Sequence, residues 1–184
     1  MIFNKQKPIT EFVTKSGKKI EIYEPSMEKL RALLKMVNDL TKEDTFLTFH
    51  GRPITINEEK KWLQGTIQQI KNKKAYVIWA FYNEEMVGEC SLNYGLSRMP
   101  HVGKLGLMVA RKYRGDGIGK YLLNSTLSWA KNKNLKIVKL SVFSDNEIAI
   151  NLYQKHGFKE WGRLPKGFYR KEKYTDRVDM YKEI

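Results

Sequence analysis

The stretch LGLMVARKYRGDGIGKYLL, Leu105 to Leu123, decides how the chain is to be read. Leu105, Leu107, Met108 and Val109 form an apolar run of strand length, and a basic turn carrying Gly115, Gly117 and Gly119 follows. From Ile118 onward, Leu122, Leu123, Leu127, Trp129 and Ala130 recur at helical spacing. The order is therefore strand, glycine-rich turn, helix. Such a turn presents unpaired backbone N–H groups at a positive helix end, and glycine lets a ligand approach the backbone closely. Phosphate is the natural ligand, and Arg111, Lys112, Arg114 and Lys120 add side-chain charge beside it.

Two phosphate motifs are excluded. A Walker loop needs Gly-Lys-Ser/Thr, but Gly119-Lys120 is followed by Tyr121. A dinucleotide fingerprint is excluded by the G-x-G-x-G spacing, and Val142-Phe143 stands where an acid should end the next strand.

Composition narrows the class further. A length of 184 residues suits one domain, residues 1–184, with a sizeable core. No apolar run approaches the roughly 20 residues of a membrane span, and MIFNKQKPIT lacks a signal-peptide core. Cys90 is the single cysteine, so no internal disulfide forms and a reducing cytoplasm is expected. His50, His101 and His156 are scattered and make no metal-ligand spacing, so no metal is expected. The net charge of +14 raises nucleic acid as a partner. Lysines spread along the whole chain, without a zinc finger, an RNP aromatic motif or an arginine tract, favour a solvated basic surface instead.

Along the chain, Ile9–Thr14 and Lys19–Glu24 read as strands around a Lys15-Ser16-Gly17-Lys18 turn. Ser26 reads as the N-cap of a helix bearing Leu30, Leu33, Leu34 and Val37 on one face. Thr45–Pro53 reads as a loop with Phe46, Phe49 and His50. Thr55 and Glu58 make a capping box for a second helix to about Lys71, with Trp62, Leu63, Ile67 and Ile70 inward. Strands Ala75–Tyr82 and Met86–Tyr94 follow, joined tightly by Asn83-Glu84-Glu85. Ser97–Lys104 reads as a loop leading into the central strand. A strand Ile137–Phe143, a helix ending at His156 and Gly157, and closing strands Lys159–Leu164 and Arg177–Tyr181 complete the chain. This order predicts an α+β fold, a mostly antiparallel sheet flanked by helices and containing one βαβ crossover.

On the helix after Ile137–Phe143, Asn146, Ala149 or Ile150, and Tyr153 share one face. That amide–small–phenol stripe suits an extended ligand lying along the helix. RKYRGDGIG followed by N-x-x-A-I-x-L-Y-x-x-x-G-F resembles the GNAT family of N-acetyltransferases. The family's turn pattern, Q/R-x-x-G-x-G/A, is met by Arg114, Gly117 and Gly119. Its later pattern is met by Asn146, Ala149, Leu152, Tyr153, Gly157 and Phe158. The tail from Gly157 also looks like the branch acetylating protein N-termini or ribosomal proteins.

The resemblance implies an acetyl-CoA-dependent N-acetyltransferase working by direct transfer in a ternary complex. It implies pyrophosphate on the backbone amides of Arg114, Gly115, Asp116, Gly117, Ile118, Gly119 and Lys120. The pantetheine arm would pair like an added strand with Leu107, Met108 and Val109, where the central strand splays from the Ile137 strand. Val109 N–H would face the acetyl carbonyl, Asn146 would hold the arm, and Tyr153 would protonate the leaving thiolate. Where relatives carry a basic carboxylate this chain has Ser141 and Lys104, which leaves Glu89, His101 or water as the base.

A lysine amine is neutral in under ~0.1% of molecules at pH 7, an α-amine in roughly 10–15%. An α-amine needs no strong base, so a peptide or protein N-terminus is the expected acceptor. A polyamine or other small amine is the alternative, as is a non-catalytic acyl-CoA-binding or nucleic-acid-binding module. Homo-oligomerisation is left open.

Overall fold

In the computed structural model, residues 6–43, 46, 52–170 and 172–184 are described. The N-terminal half runs β1 (Thr10–Val13), β2 (Lys19–Tyr23), α1 (Leu30–Lys42), α2 (Ile56–Lys71), β3 (Ala75–Tyr82) and β4 (Glu85–Asn93). The rest runs β5 (Val102–Val109), α3 (Ile118–Asn132), β6 (Ile137–Phe143), α4 (Glu147–Lys155), β7 (Lys159–Arg170) and β8 (Lys173–Glu183). The strands form one sheet in the order β1-β2-β3-β4-β5-β6-β8-β7. Among the described residues only β5 and β6 pair in parallel, and α3 is the crossover between them. The expected α+β class and element order therefore hold.

Alternation along the strands gives the sheet two apolar faces. Trp79, Phe81, Val77 and Tyr23 meet Leu33, Val37 and Leu40 of α1 and Leu63 of α2. On the other face Ile78, Cys90, Leu92 and Leu105 meet Leu122, Leu123 and Ala130 of α3 and Tyr153 of α4.

The feature that positions the site is where pairing stops. β5 and β6 pair only at Val102↔Ile137, Gly103↔Val138 and Lys104↔Lys139. β5 nevertheless stays paired with β4 as far as Gly88↔Val109, and β6 stays paired with β8 as far as Phe143↔Arg177. Each strand follows its outer neighbour, and a wedge opens between them beyond Lys104.

Several local readings change. Ser26 does not cap α1; its hydroxyl donates to Gln6 Oε1 at 2.8 Å, and a 3-10 turn, Met27–Lys29, precedes the helix. Val102–Lys104 belong to β5 rather than a loop. Gly103 is there because an added Cβ would lie 2.8 Å from Leu92 Cδ1. Trp62 is 46% exposed, whereas Glu59 and Leu63 are the buried positions of α2. The closing strands are longer than expected: β7 is the sheet edge, and it absorbs Pro165 and Gly167 in the register shift between Leu164 and Phe168. The Thr45–Pro53 reading falls mostly outside the described residues. The Thr55–Glu58 capping box forms as expected.

Candidate active site

The ladder of β5 decides which backbone groups face the wedge. Ala110 N–H donates to Val87 O at 2.9 Å, which makes Gly88↔Val109 a non-hydrogen-bonded pair. By the alternation of an antiparallel ladder, the N–H and C=O of Met108 point to β4, while those of Leu107 and Val109 point to the wedge. The backbone of Met108 is thus turned to β4, and the residue lines the cavity on the α1–α2 face. Val109 O accepts from Arg114 Nε at 2.9 Å. The N–H groups of Leu107 and Val109 are the donors that this side of the strand turns to the wedge.

At the glycine turn, Gly115 (φ +81) and Gly117 (φ +94) adopt left-handed backbone that glycine tolerates best. A Cβ at either would meet no atom within 4 Å, so open space lies in front of both. Gly119 differs: its added Cβ would touch Val109 Cγ2 at 3.5 Å and Leu152 Cδ2 at 3.8 Å, so α3 and α4 seat against the end of β5 here. Gly117 is the N-cap of α3 without a capping side chain, and the first bond of the helix runs from Tyr121 N–H to Gly117 O at 3.0 Å. The N–H groups of Ile118, Gly119 and Lys120 consequently emerge from the helix start, where an anion is favoured. The Arg114 side chain is held by Val109 O and by Glu43 at 3.2 Å, so its charge braces the turn.

Asp116 sits inside this anion-receptive turn without opposing it, because the β1–β2 hairpin neutralises it. Its carboxylate accepts from Ser16 N–H at 2.9 Å, Ser16 Oγ at 2.5 Å and Lys18 Nζ at 3.2 Å. The Ser16 hydroxyl, foremost, holds the carboxyl below the ordinary aspartate range. Its contribution is therefore complete above that range and is lost only as pH falls through the depressed value. The hairpin is seated further by Phe12 stacking on Tyr121, centroids 3.8 Å apart. Asp116→Ala is expected to speed hydrogen exchange at the Ser16 amide while α3 amides stay protected. Unchanged exchange there would mean that the stacking alone holds the hairpin.

Asn146 and Ala149, with Tyr153 two turns along α4, line a cavity of about 730 Å³ at the wedge. Asn146 is also the N-cap of α4, its Oδ1 accepting from Ala149 N–H at 3.3 Å. Tyr153 is 6% exposed, and burial raises its phenol well above the ordinary range, so it is a protonated donor at neutral pH.

The same cavity is lined by Glu58, Glu59 and Trp62 of α2, and by Glu89, Ser91 and Asn93 of β4. Glu89 is 5% exposed and accepts from Trp79 Nε1 at 2.9 Å. Burial, opposed in part by that bond and reinforced by the charge of Glu59, raises its carboxyl to about 7. A carboxylate poised at that value, in a fixed orientation, is suited to take a proton near neutrality.

The other candidates lie elsewhere. His101 is exposed, just ahead of β5 and outside the cavity lining. Lys104 and Ser141 do line it; the Ser141 hydroxyl donates to Asp179 Oδ1 at 2.5 Å. Cys90 faces α3, and burial pushes its thiol up to about 12, which removes it as a nucleophile. Among the described residues no group of three or more His, Cys, Asp and Glu side chains comes together as a metal site. None of their helices is long and apolar enough to cross a membrane.

Comparison with known proteins meets this geometry from outside. The acetyltransferase (GNAT) family pattern matches residues 34–158. A GNAT-family acetyltransferase structure from Streptococcus pneumoniae superposes with a TM-score of 0.79 at 27% identity, covering 90% of this chain and 99% of that one. A Bacillus subtilis (strain 168) protein named for phosphinothricin acetylation is 26% identical over 74% of this chain and 82% of its own length. A spermidine N(1)-acetyltransferase of Vibrio cholerae serotype O1 is 32% identical over 41% of this chain and 44% of its own.

Proposed function

The chain belongs to the acetyltransferase (GNAT) family, and on that premise we propose that it moves an acetyl group from acetyl-CoA to a primary amine in a ternary complex. The observation that carries the proposal is the wedge between β5 and β6, which opens beside the glycine turn and holds Glu89 and Tyr153 in one cavity. The fit to the donor rests on the open space before Gly115 and Gly117 and on the wedge-facing groups of Leu107 and Val109.

When bound, acetyl-CoA supplies an acetyl thioester. The amides from Gly115 to Lys120 receive its phosphates, and Leu107 and Val109 offer backbone groups to its arm. Asn146 lies across the wedge on α4. Val109 N–H polarises the carbonyl that the amine attacks. Glu89 takes the proton that the amine loses, and the Tyr153 O–H gives one to the departing sulfur.

The acceptor is carried forward as a primary amine. The expectation of a peptide or protein N-terminus rests on an α-amine needing no strong base, and Glu89 in the cavity weakens that ground. The relatives' names range from phosphinothricin to spermidine and leave the acceptor open. A non-catalytic binding module would have no use for a base and an acid in one cavity.

An acetylation assay with acetyl-CoA over N-terminal peptides, lysine peptides, diamines and aminoglycosides tests the reading. Absence of transfer to every amine would overturn it. Tyr153→Phe is expected to lower turnover about tenfold or less, since a thiolate leaves well unaided, with acetyl-CoA affinity nearly unchanged. Full turnover in a chemistry-limited assay would reduce Tyr153 to a packing residue.

A further inference from the structure

One carboxylate in the cavity is not used by the transfer. Glu59 is 4% exposed and lines the cavity from α2, one turn before the fully buried Leu63. Among the described residues its side chain makes no hydrogen bond or ion pair, and burial alone raises its carboxyl. A carboxylate largely withdrawn from bulk water, opening only toward the cavity and without a partner among the described residues, favours a cation that enters the cavity.

Among the described residues, the cations near the cavity do not serve. Arg52 pairs with Glu58 at 2.5 Å, and Arg177 pairs with Asp179 at 2.8 Å. Lys104 lines the same cavity but pairs with neither buried carboxylate. In register it lies opposite Asn93, four residues along β4 from Glu89, roughly 13 Å at about 3.3 Å per residue. Glu59 and Glu89 do sense one another, since the charge of Glu59 is one reason that Glu89 is hard to ionise. Trp62, half-exposed, adds an aromatic wall to the same space, on which an ammonium or its methylene chain can rest.

A reacting amine entering as an ammonium neutralises Glu89 and then gives up its proton there. Glu59 still lacks a partner among the described residues. We propose that Glu59 is a specificity-determining residue, which with Glu89 forms a subsite for an acceptor carrying a second positive charge beyond its reacting amine. Short diamines and linear polyamines are the class that fits, ahead of monocationic α-amines. The basic surface repels such acceptors at long range, but acids lining a low-dielectric cleft focus an attractive field locally. Glu84 and Glu85 do not line the cavity; Glu85 pairs with Lys112 and Lys35. This inference rests on the acetyltransferase reading above for its chemistry, though not for its binding site.

The test compares 1,4-diaminobutane with butylamine, which differ by the second charge. The wild-type protein should show kcat/KM at least tenfold higher for the diamine. In Glu59→Gln, close in shape, that ratio should fall at least fivefold. Titration calorimetry with 1,4-diaminobutane reads the subsite without turnover: weaker binding by the variant supports it. If that binding loss is seen while no amine is acetylated, the subsite stands and the acetyltransferase reading fails. Equal loss for both amines, equal diamine binding by both proteins, or a monocationic peptide outperforming every diamine would overturn the subsite. A melting temperature for Glu59→Gln at or above wild type confirms that the variant is folded.

Discussion

Glu89→Gln is expected to lower turnover roughly 10²–10³-fold and, at the same time, to make the protein more stable. The two effects have one cause. Glu89 is buried against Trp79 with its carboxyl raised to about 7. Its unfolded counterpart ionises in the ordinary glutamate range, so between that range and pH 7 the folded state holds the extra proton. Stability is accordingly lost as pH rises through this window, and the deficit is complete above pH 7. For a fully buried group raised this far, the deficit is as much as about 3 kcal/mol. Glutamine keeps an oxygen to accept from Trp79 Nε1 and carries no charge to desolvate. Its melting temperature should therefore exceed that of wild type at pH 8, and the gap should narrow toward pH 5.

The kinetic signature is separate. Wild-type kcat/KM should rise with pH through about 7 as Glu89 ionises, and the variant should lack that limb. A merely structural glutamate would give a variant with nearly full turnover and an unchanged limb. That outcome would return the base to water.

Glu89 also shows how far the sequence could be read. A lone acid in mid-strand ordinarily faces solvent, and only the burial of both faces of β4 makes it a cavity group. For Glu59 the signal was present in the periodicity. Glu59, Leu63, Ile67 and Ile70 follow at helical spacing, so the inward stripe of α2 contains a charge. The glycine turn and the Asn146–Ala149–Tyr153 stripe were legible because each is a local pattern. The wedge was not, since the point where β5 leaves β6 depends on how far β4 and β8 hold their partners. That is a property of pairing across the whole sheet, and strand propensity does not encode it. Likewise, which of Leu107, Met108 and Val109 turns its backbone to the wedge follows from register, which one strand cannot reveal.

Gly117→Val is expected to raise the dissociation constant for acetyl-CoA ten- to a hundredfold, about 1.4–2.8 kcal/mol. Gly117 stands at φ +94, where a side-chain-bearing residue is strained by roughly 1–2 kcal/mol. A valine either holds the turn under that strain or relaxes it, and relaxation swings the N–H groups of Ile118 to Lys120 away from their common direction. Where the turn is held, the branched side chain fills the space before those groups, and a phosphate can no longer reach them. The protein's own packing is untouched, since an added Cβ meets nothing within 4 Å, so the fold should survive. Gly119→Ala separates these effects. Its added Cβ finds ordinary contacts from 3.5 Å outward against Val109, Leu152 and Leu107, away from the open side of the turn. It should bind acetyl-CoA within about threefold of wild type, under ~0.7 kcal/mol. Calorimetric titration of the folded variants decides the matter. Unchanged affinity in Gly117→Val would place the pyrophosphate elsewhere, because no other consequence of the substitution could offset both the strain and the filled approach.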